Sequence, residues 1–271
     1  MLLYRIITAA LLISFATFLW FYEDGFLFPL LILISHAGIY MEWLTLLNTS
    51  RTQKISGLVA LLFIFIIVIN GKASQNLLLV LLFSSFLFWF LISPAVVFNK
   101  YRISKRISGI VAFIMCLASM IALYYAFTES LMFLLSILAL VWTIDTGAYF
   151  TGKIFGHKKL FPSVSPNKTW EGVYGAFFMF FTYSLFMINI DGTWQEFALY
   201  NFGTWWLIVL SLVLFFVAIF ADLFESKLKR ISGKKDSGNI LPGHGGLFDR
   251  FDATLAVGPL IVFFNMIGTR S

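Results

Sequence analysis

The sequence predicts an all-α fold, a polytopic bundle of about nine transmembrane helices with its N-terminus in the cytoplasm. Three observations carry this expectation. Of the 271 residues, 60% are hydrophobic and 12% charged, with a mean hydropathy of +0.92, whereas soluble domains carry about 25% charged residues. The apolar residues fall in runs near the roughly 20 residues that a helix needs to cross about 30 Å of hydrocarbon. Lys and Arg are confined almost wholly to alternate loops. A soluble globule is excluded, and no linker or low-complexity run is long enough to separate a second domain.

The apolar runs are 2–22, 26–47, 55–70, 77–98, 107–127, 130–150, 170–190, 204–224 and 253–268. The first has the look of a signal peptide, but its only early charge is Arg5, no small-x-small cleavage site follows, and the next run begins at once. It reads as a helix. Residues 1–271 thus form a single integral membrane domain, with N-terminal helices over 1–127 and C-terminal helices over 130–268 that carry the polar loops. Cys116 lies alone in an apolar run, so no internal disulfide is available and it reads as a small core residue.

If the runs cross in alternation, every Lys and Arg except Lys72 and Arg270 faces one side. The positive-inside rule makes that side the cytoplasm and places the C-terminus outside. The net charge of +6 therefore belongs to one membrane face, and nucleic acid is not an expected partner. The cluster KYRISKR at 100–106 reads as orienting charge that meets anionic lipid.

The chemistry is concentrated in the longest polar stretch, Ser226 to Asp252 (SKLKRISGKKDSGNILPGHGGLFDRFD), preceded by Asp222. Lys227, Lys229, Arg230, Lys234, Lys235 and Arg250 stand beside three Asp here. Acids alone would suggest a cation site and bases alone an anionic surface; both around a Gly-rich turn suggest a polyphosphate held through a divalent metal. Asp222, Glu225, Ser226 and Lys229 fall at i, i+3, i+4 and i+7, one face of a helix. Asp249 and Asp252 repeat the i, i+3 spacing at the start of the last run and flank Arg250. PGHGG at 242–246 lets backbone N–H groups approach an anion closely, and His244 within it reads as a donor to phosphate.

A second polar segment joins the sixth and seventh runs. Asp145 near the end of the sixth is an acid inside a membrane helix, costly enough to imply a partner and a position facing the bundle interior. Lys153, His157, Lys158, Lys159 and Lys168 follow, with Ser165-Pro166-Asn167-Lys168-Thr169 leading into the next helix, whose N-terminal N–H groups suit a phosphate. Gly147 to Lys153 fits G-x-x-x-x-G-K, but Ile154 replaces the metal-binding hydroxyl and no strand precedes it, so a P-loop is rejected. Glu171 reads as a helix-start acid, and Glu42 and His36 read as buried polar packing. No HExxH, cysteine pair or Gly-x-Ser-x-Gly occurs, which removes metalloprotease, zinc and serine hydrolase readings.

The ungapped stretch from Ser226 to Asp252 resembles the signature of phosphatidate cytidylyltransferases, the CDP-diacylglycerol synthases. The residues that carry the likeness are Ser226, Lys229, Arg230, Lys235, Asp236, Gly238, Pro242, His244, Gly245, Gly246, Asp249, Arg250 and Asp252. Asp145-Thr-Gly-Ala-Tyr, Gly152-Lys153 and Ser165 to Gly172 are similar to that family's second polar region, while the N-terminal helices resemble it only in hydrophobicity and length. The resemblance implies transfer of the cytidylyl group of CTP to phosphatidic acid, giving CDP-diacylglycerol and pyrophosphate, with Mg²⁺ required and a second cation and a homodimer left open. On that reading Asp222, Asp249 and Asp145 hold metal, with Asp236 and Asp252 beside them. Lys229, Arg230, Lys235 and Arg250 serve catalysis by holding phosphate oxygens. Ser165, Asn167, Lys168, Ser226, His244, Gly245 and Gly246 line the substrates. The expected setting is the lipid bilayer of a bacterial inner membrane, with the active site facing the cytoplasm. Two other readings stand beside it: a CTP-dependent polyprenol kinase, which would move the γ-phosphoryl group, and a transporter, which would place its acids near mid-membrane and often show internal repeats.

Overall fold

The computed structural model describes residues 27–98, 105–240 and 245–269, so the expected helix at 2–22 and His244 lie outside the described residues. Eight helices follow: α1 (Leu27–Leu46), α2 (Arg51–Ile69), α3 (Gln75–Phe98), α4 (Lys105–Glu129), α5 (Leu131–Phe155), α6 (Trp170–Met187), α7 (Trp194–Ile231) and α8 (Phe248–Gly268). A two-stranded antiparallel hairpin, β1 (Lys159–Phe161) and β2 (Ser165–Thr169), lies between α5 and α6. Seven of these helices are long and apolar enough to cross a membrane; α6 falls short on that measure, because Glu171 and its Trp and Tyr residues dilute the apolar run.

Hydroxyl side chains set where the helices begin. Ser50 and Gln53 form a reciprocal capping box on α2, and Ser130, Thr169 and Thr193 accept from the third backbone N–H of α5, α6 and α7. Within α3 the turn at Phe88–Ile92 widens to a π-helix just ahead of Pro94. Proline lacks an N–H and its ring presses on the preceding turn, and the wider turn relieves both. In α7, Gly203 takes φ 80° and breaks the helix near where the apolar run begins. Beyond it the helix continues past the end of that run to Ile231.

Helix α8 occupies the centre. Residues 253–262 are buried without interruption, as a helix apolar on every side requires. α7 packs along it, with α1, α3, α4 and α5 on its other sides. α5 and α6 pack most closely of all, over glycines: a Cβ on Gly147 would lie 2.9 Å from Cα of Ala176, and one on Gly172 would lie 2.9 Å from the carbonyl of Ala148. Lipid tails are as apolar as the helices, so close van der Waals approach over small residues is what joins them. The glycine that opens the P-loop-like string is thus helix-packing surface.

The two ends of the bundle are distinct. Arg230 of α7 reaches Val164 in the hairpin turn, and Glu42 near the end of α1 reaches the start of α8. At the other end Ser130 donates to the carbonyl of Gly192, and Trp194 N–H donates to Ser136. Both polar stretches therefore gather at one end of the molecule.

Candidate functional site

Three elements converge at that end. The α5–α6 hairpin delivers Lys168, the C-terminal end of α7 delivers Asp222, Glu225, Ser226, Lys229 and Arg230, and the first two turns of α8 deliver Asp249 and Asp252. The hairpin is held by Arg230, whose Nε donates to the Val164 carbonyl at 3.2 Å, and by Glu171, whose carboxylate accepts the Lys158 N–H at 3.1 Å. Thus placed, Lys168 forms an ion pair with Asp222.

Asp222, Glu225 and Asp252 each offer a carboxylate oxygen within 4.8 Å of the other two. Asp145 on α5 lies within electrostatic reach of Asp222, Lys168 and Arg250, and Asp252 within reach of Asp222 and Asp145. Glu225 is 1% exposed; its Oε2 pairs with Lys229 at 2.6 Å, while Oε1 has no hydrogen-bond partner among the described residues. A buried carboxylate oxygen without a donor costs free energy unless a cation meets it. Hard oxygen donors with one such oxygen among them fit Mg²⁺ or a similar divalent ion.

Asp249 stands beside this cluster with a different set of partners. Its Oδ1 accepts from Lys229 at 2.6 Å. Its Oδ2 accepts from the N–H groups of Ser237 and Gly246, each at 2.9 Å. Lys229 thereby sits between two carboxylates, Glu225 and Asp249. The glycines make the close wrap possible. Gly245 takes φ +84°, and a Cβ on Gly246 would lie 2.1 Å from Ser237 Oγ.

The remaining sequence-predicted residues are spread around this centre. Ser226 is buried on α7, Arg250 is exposed on α8, and Lys235 and Asp236 are exposed on the loop between these helices. Ser165 and Asn167 lie on β2 ahead of Lys168, with Asn167 exposed. Next to Glu42, Glu225 and Asp249 along the chain stand three buried rings: Trp43 stacks on Phe248 with ring centres 4.8 Å apart, and Phe224 packs on Trp43 and Trp89 at 5.6 and 5.5 Å.

Three residues of this arrangement had no functional role in the sequence reading. Glu225 is visible in the i, i+3 spacing from Asp222, a spacing that by itself assigns it no role. Ser237 carried no signal among the loop residues. Glu42 reads in sequence as buried polar packing, and it is buried, but its carboxylate caps α8 across 206 residues of chain, accepting Phe248 N–H at 2.9 Å; no local pattern reveals such a contact.

Comparison with known proteins places the chain in a family. Residues 3–267 match the Cytidylyltransferase family. The chain is 32% identical over 259 residues to a phosphatidate cytidylyltransferase of Staphylococcus epidermidis, covering 95% of this chain and 97% of that protein. A phosphatidate cytidylyltransferase of Staphylococcus aureus is 34% identical over 230 residues, covering 83% and 85% of the two chains. One of Staphylococcus saprophyticus is 32% identical over 265 residues, covering 95% and 97%. The match takes in both polar stretches and the whole helical bundle, and the chain belongs to the cytidylyltransferase family as a nucleotidyltransferase enzyme.

Proposed function

We propose that the protein transfers the cytidylyl group of CTP to phosphatidic acid, forming CDP-diacylglycerol and pyrophosphate, at the cytoplasmic face of a bacterial inner membrane. The observation that carries this reading is the acidic cluster of Asp222, Glu225 and Asp252, with Lys168 paired to Asp222 and Arg250 within electrostatic reach of Asp145, at one end of a membrane bundle, in a chain similar to phosphatidate cytidylyltransferases along most of its length.

The chemistry asks for little covalent help. A phosphomonoester with a second pKa near 6 is mostly dianionic at neutral pH, so its oxygen attacks without a general base. That oxygen bonds to the α-phosphorus of CTP as the bond to the bridging oxygen breaks, and pyrophosphate leaves with the electron pair. The barrier lies in bringing two anions together, which positioning and charge neutralisation lower. A divalent cation such as Mg²⁺, held by Asp222, Glu225 and Asp252 with Asp145 close by, would neutralise phosphate charge and orient the α-phosphorus.

The chain's own residues do the rest. Lys168, Arg230, Lys235 and Arg250 hold phosphate oxygens, with Ser165, Asn167, Ser226 and the glycines Gly245 and Gly246 shaping the space around them. Lys229, placed between Glu225 and Asp249, offsets acidic charge and fixes both carboxylates. Asp249 holds Lys229 and the Gly-rich loop, next to the cation. Asp236 stands further out on that loop. The lipid enters sideways between helices, keeping its acyl chains in the bilayer and its head group at the rim.

Purified protein supplied with phosphatidate, Mg²⁺ and CTP labelled at either the α or the γ position tests the proposal. Label from α-phosphate should appear in the lipid and γ-label in pyrophosphate. Transfer of γ-label to a lipid would replace this reading with that of a lipid kinase.

A further inference from the structure

Among the described residues, Glu42 is the one acid of the site end that comes from the N-terminal helices. It is 5% exposed on α1, and its carboxylate meets three donors from distant chain: Leu247 N–H at Oε1 (3.1 Å), Phe248 N–H at Oε2 (2.9 Å) and Ser237 Oγ–H at Oε2 (2.9 Å). The first two are orphan amides at the N-terminus of α8, where a negative charge is also favoured by the helix dipole. The third is the hydroxyl whose oxygen stands 2.9 Å from Asp249 Oδ2 and accepts Asp249 N–H at 3.3 Å. One hydroxyl therefore joins two carboxylates that are far apart in sequence. Its single proton serves one of them at a time, yet neither is left bare, since Asp249 Oδ2 keeps two backbone donors and Glu42 Oε2 keeps Phe248 N–H.

The surrounding backbone is built to this carboxylate. A Cβ on Gly238 would lie 2.2 Å from Glu42 Oε1, and one on Gly246 would lie 2.3 Å from Oε2. Gly238 and Gly246 thus close on Glu42, while Gly245 and Gly246 close on Asp249. From Asp249 the contacts run on through Lys229 to Glu225, one of the three clustered acids. Each link is a short polar contact between buried or half-buried groups, so a displacement at the first is felt at the last.

We propose that Glu42 is a positioning residue of the transferase, holding Ser237 and the first turn of α8 so that Asp249, Lys229 and Glu225 keep the acidic cluster in geometry for its cation. The proposal rests on the reading of that cluster as a divalent-cation site. It also ties the N-terminal helices, whose sequence carries no signature, to the geometry of the acidic cluster.

Mn²⁺ titration followed by electron paramagnetic resonance, alongside turnover of CTP and phosphatidate, tests it on detergent-purified wild type, Glu42→Gln, Ser237→Ala and the double variant. Asp222→Asn serves as the control without the cation site. Glu42→Gln and Ser237→Ala should each weaken Mn²⁺ binding by about 10- to 100-fold, the effect expected of groups that orient ligands. Both should lower kcat more than they raise KM for CTP, in protein that elutes and melts like wild type. The double variant should be no weaker than the worse single variant beyond about threefold, because the two act through one link. Wild-type Mn²⁺ affinity in either variant, or additive losses in the double, would overturn the proposal. If Glu42→Gln does not fold, Ser237→Ala decides alone. Should the wild type bind Mn²⁺ through Asp222 yet make no CDP-diacylglycerol, the proposed reaction fails while the role of Glu42 is still read from the titration.

Discussion

At the scale of single residues, the site is a set of carboxylates with unlike environments. Asp222, Glu225 and Asp252 converge on one another, whereas Asp249 spends its oxygens on Lys229 and two backbone amides. Replacing Asp249 by Asn removes the charge that faces Lys229 and puts a donor where donors already point. Turnover by Asp249→Asn should fall by about 10- to 100-fold or more while membrane insertion persists, measured as kcat/KM on protein with wild-type elution. Glycines give a sharper contrast. Gly246→Ala should abolish activity, since its Cβ would overlap Ser237 and Glu42. Gly233→Ala meets nothing within 4 Å but keeps φ +71°, so it should lose about 1 kcal/mol of stability and retain activity. Thermal melts and assays of the pair separate backbone strain from steric exclusion.

At the scale of elements, the α5–α6 hairpin and the extended α7 act as a clamp. In sequence 159–169 reads only as a Lys-rich turn, because Lys159–Phe161 and Ser165–Thr169 are too short to show the alternation of a strand. The pairing depends on neighbours: β1 and β2 bond to each other, Trp170 N–H bonds to the Lys158 carbonyl, and Arg230 pins the turn from α7. Only then does Lys168 meet Asp222. Arg230→Met should free the hairpin and raise KM for CTP by about 10-fold, with a smaller change in kcat. A fall in kcat alone would place Arg230 with the transition state instead.

At the scale of the whole molecule, sidedness follows from how the ends are tied. Lys158 and Gly233 stand at the site end, while Asp191 lies next to Gly192 at the opposite end. Cys116, the sole cysteine, is fully buried, so Cys116→Ala supplies a background for single-cysteine labelling. A membrane-impermeant maleimide should label Lys158→Cys and Gly233→Cys only in inside-out vesicles, and Asp191→Cys only in right-side-out ones. The reverse pattern would put the site outside, where CTP is not available. Removal of divalent cations with EDTA should abolish turnover, and Mg²⁺ should restore it, as the oxygen-only cluster requires.

The sequence by itself determined the solvent, the helical architecture and the end of the bundle where chemistry gathers, because hydropathy, length and charge are local quantities that a membrane sorts directly. It also marked many of the polar residues that gather at that end, since i, i+3 and i+4 spacings on α7 and α8 are preserved in any helix. Tertiary structure alone decided which acids meet. Asp222 clusters with Glu225 and Asp252, Asp249 turns to Lys229 and the loop, and Glu42 crosses from α1 to cap α8. Those contacts depend on the angle and approach of packed helices, which glycines such as Gly147, Gly238 and Gly246 permit and which no periodicity along one chain segment encodes.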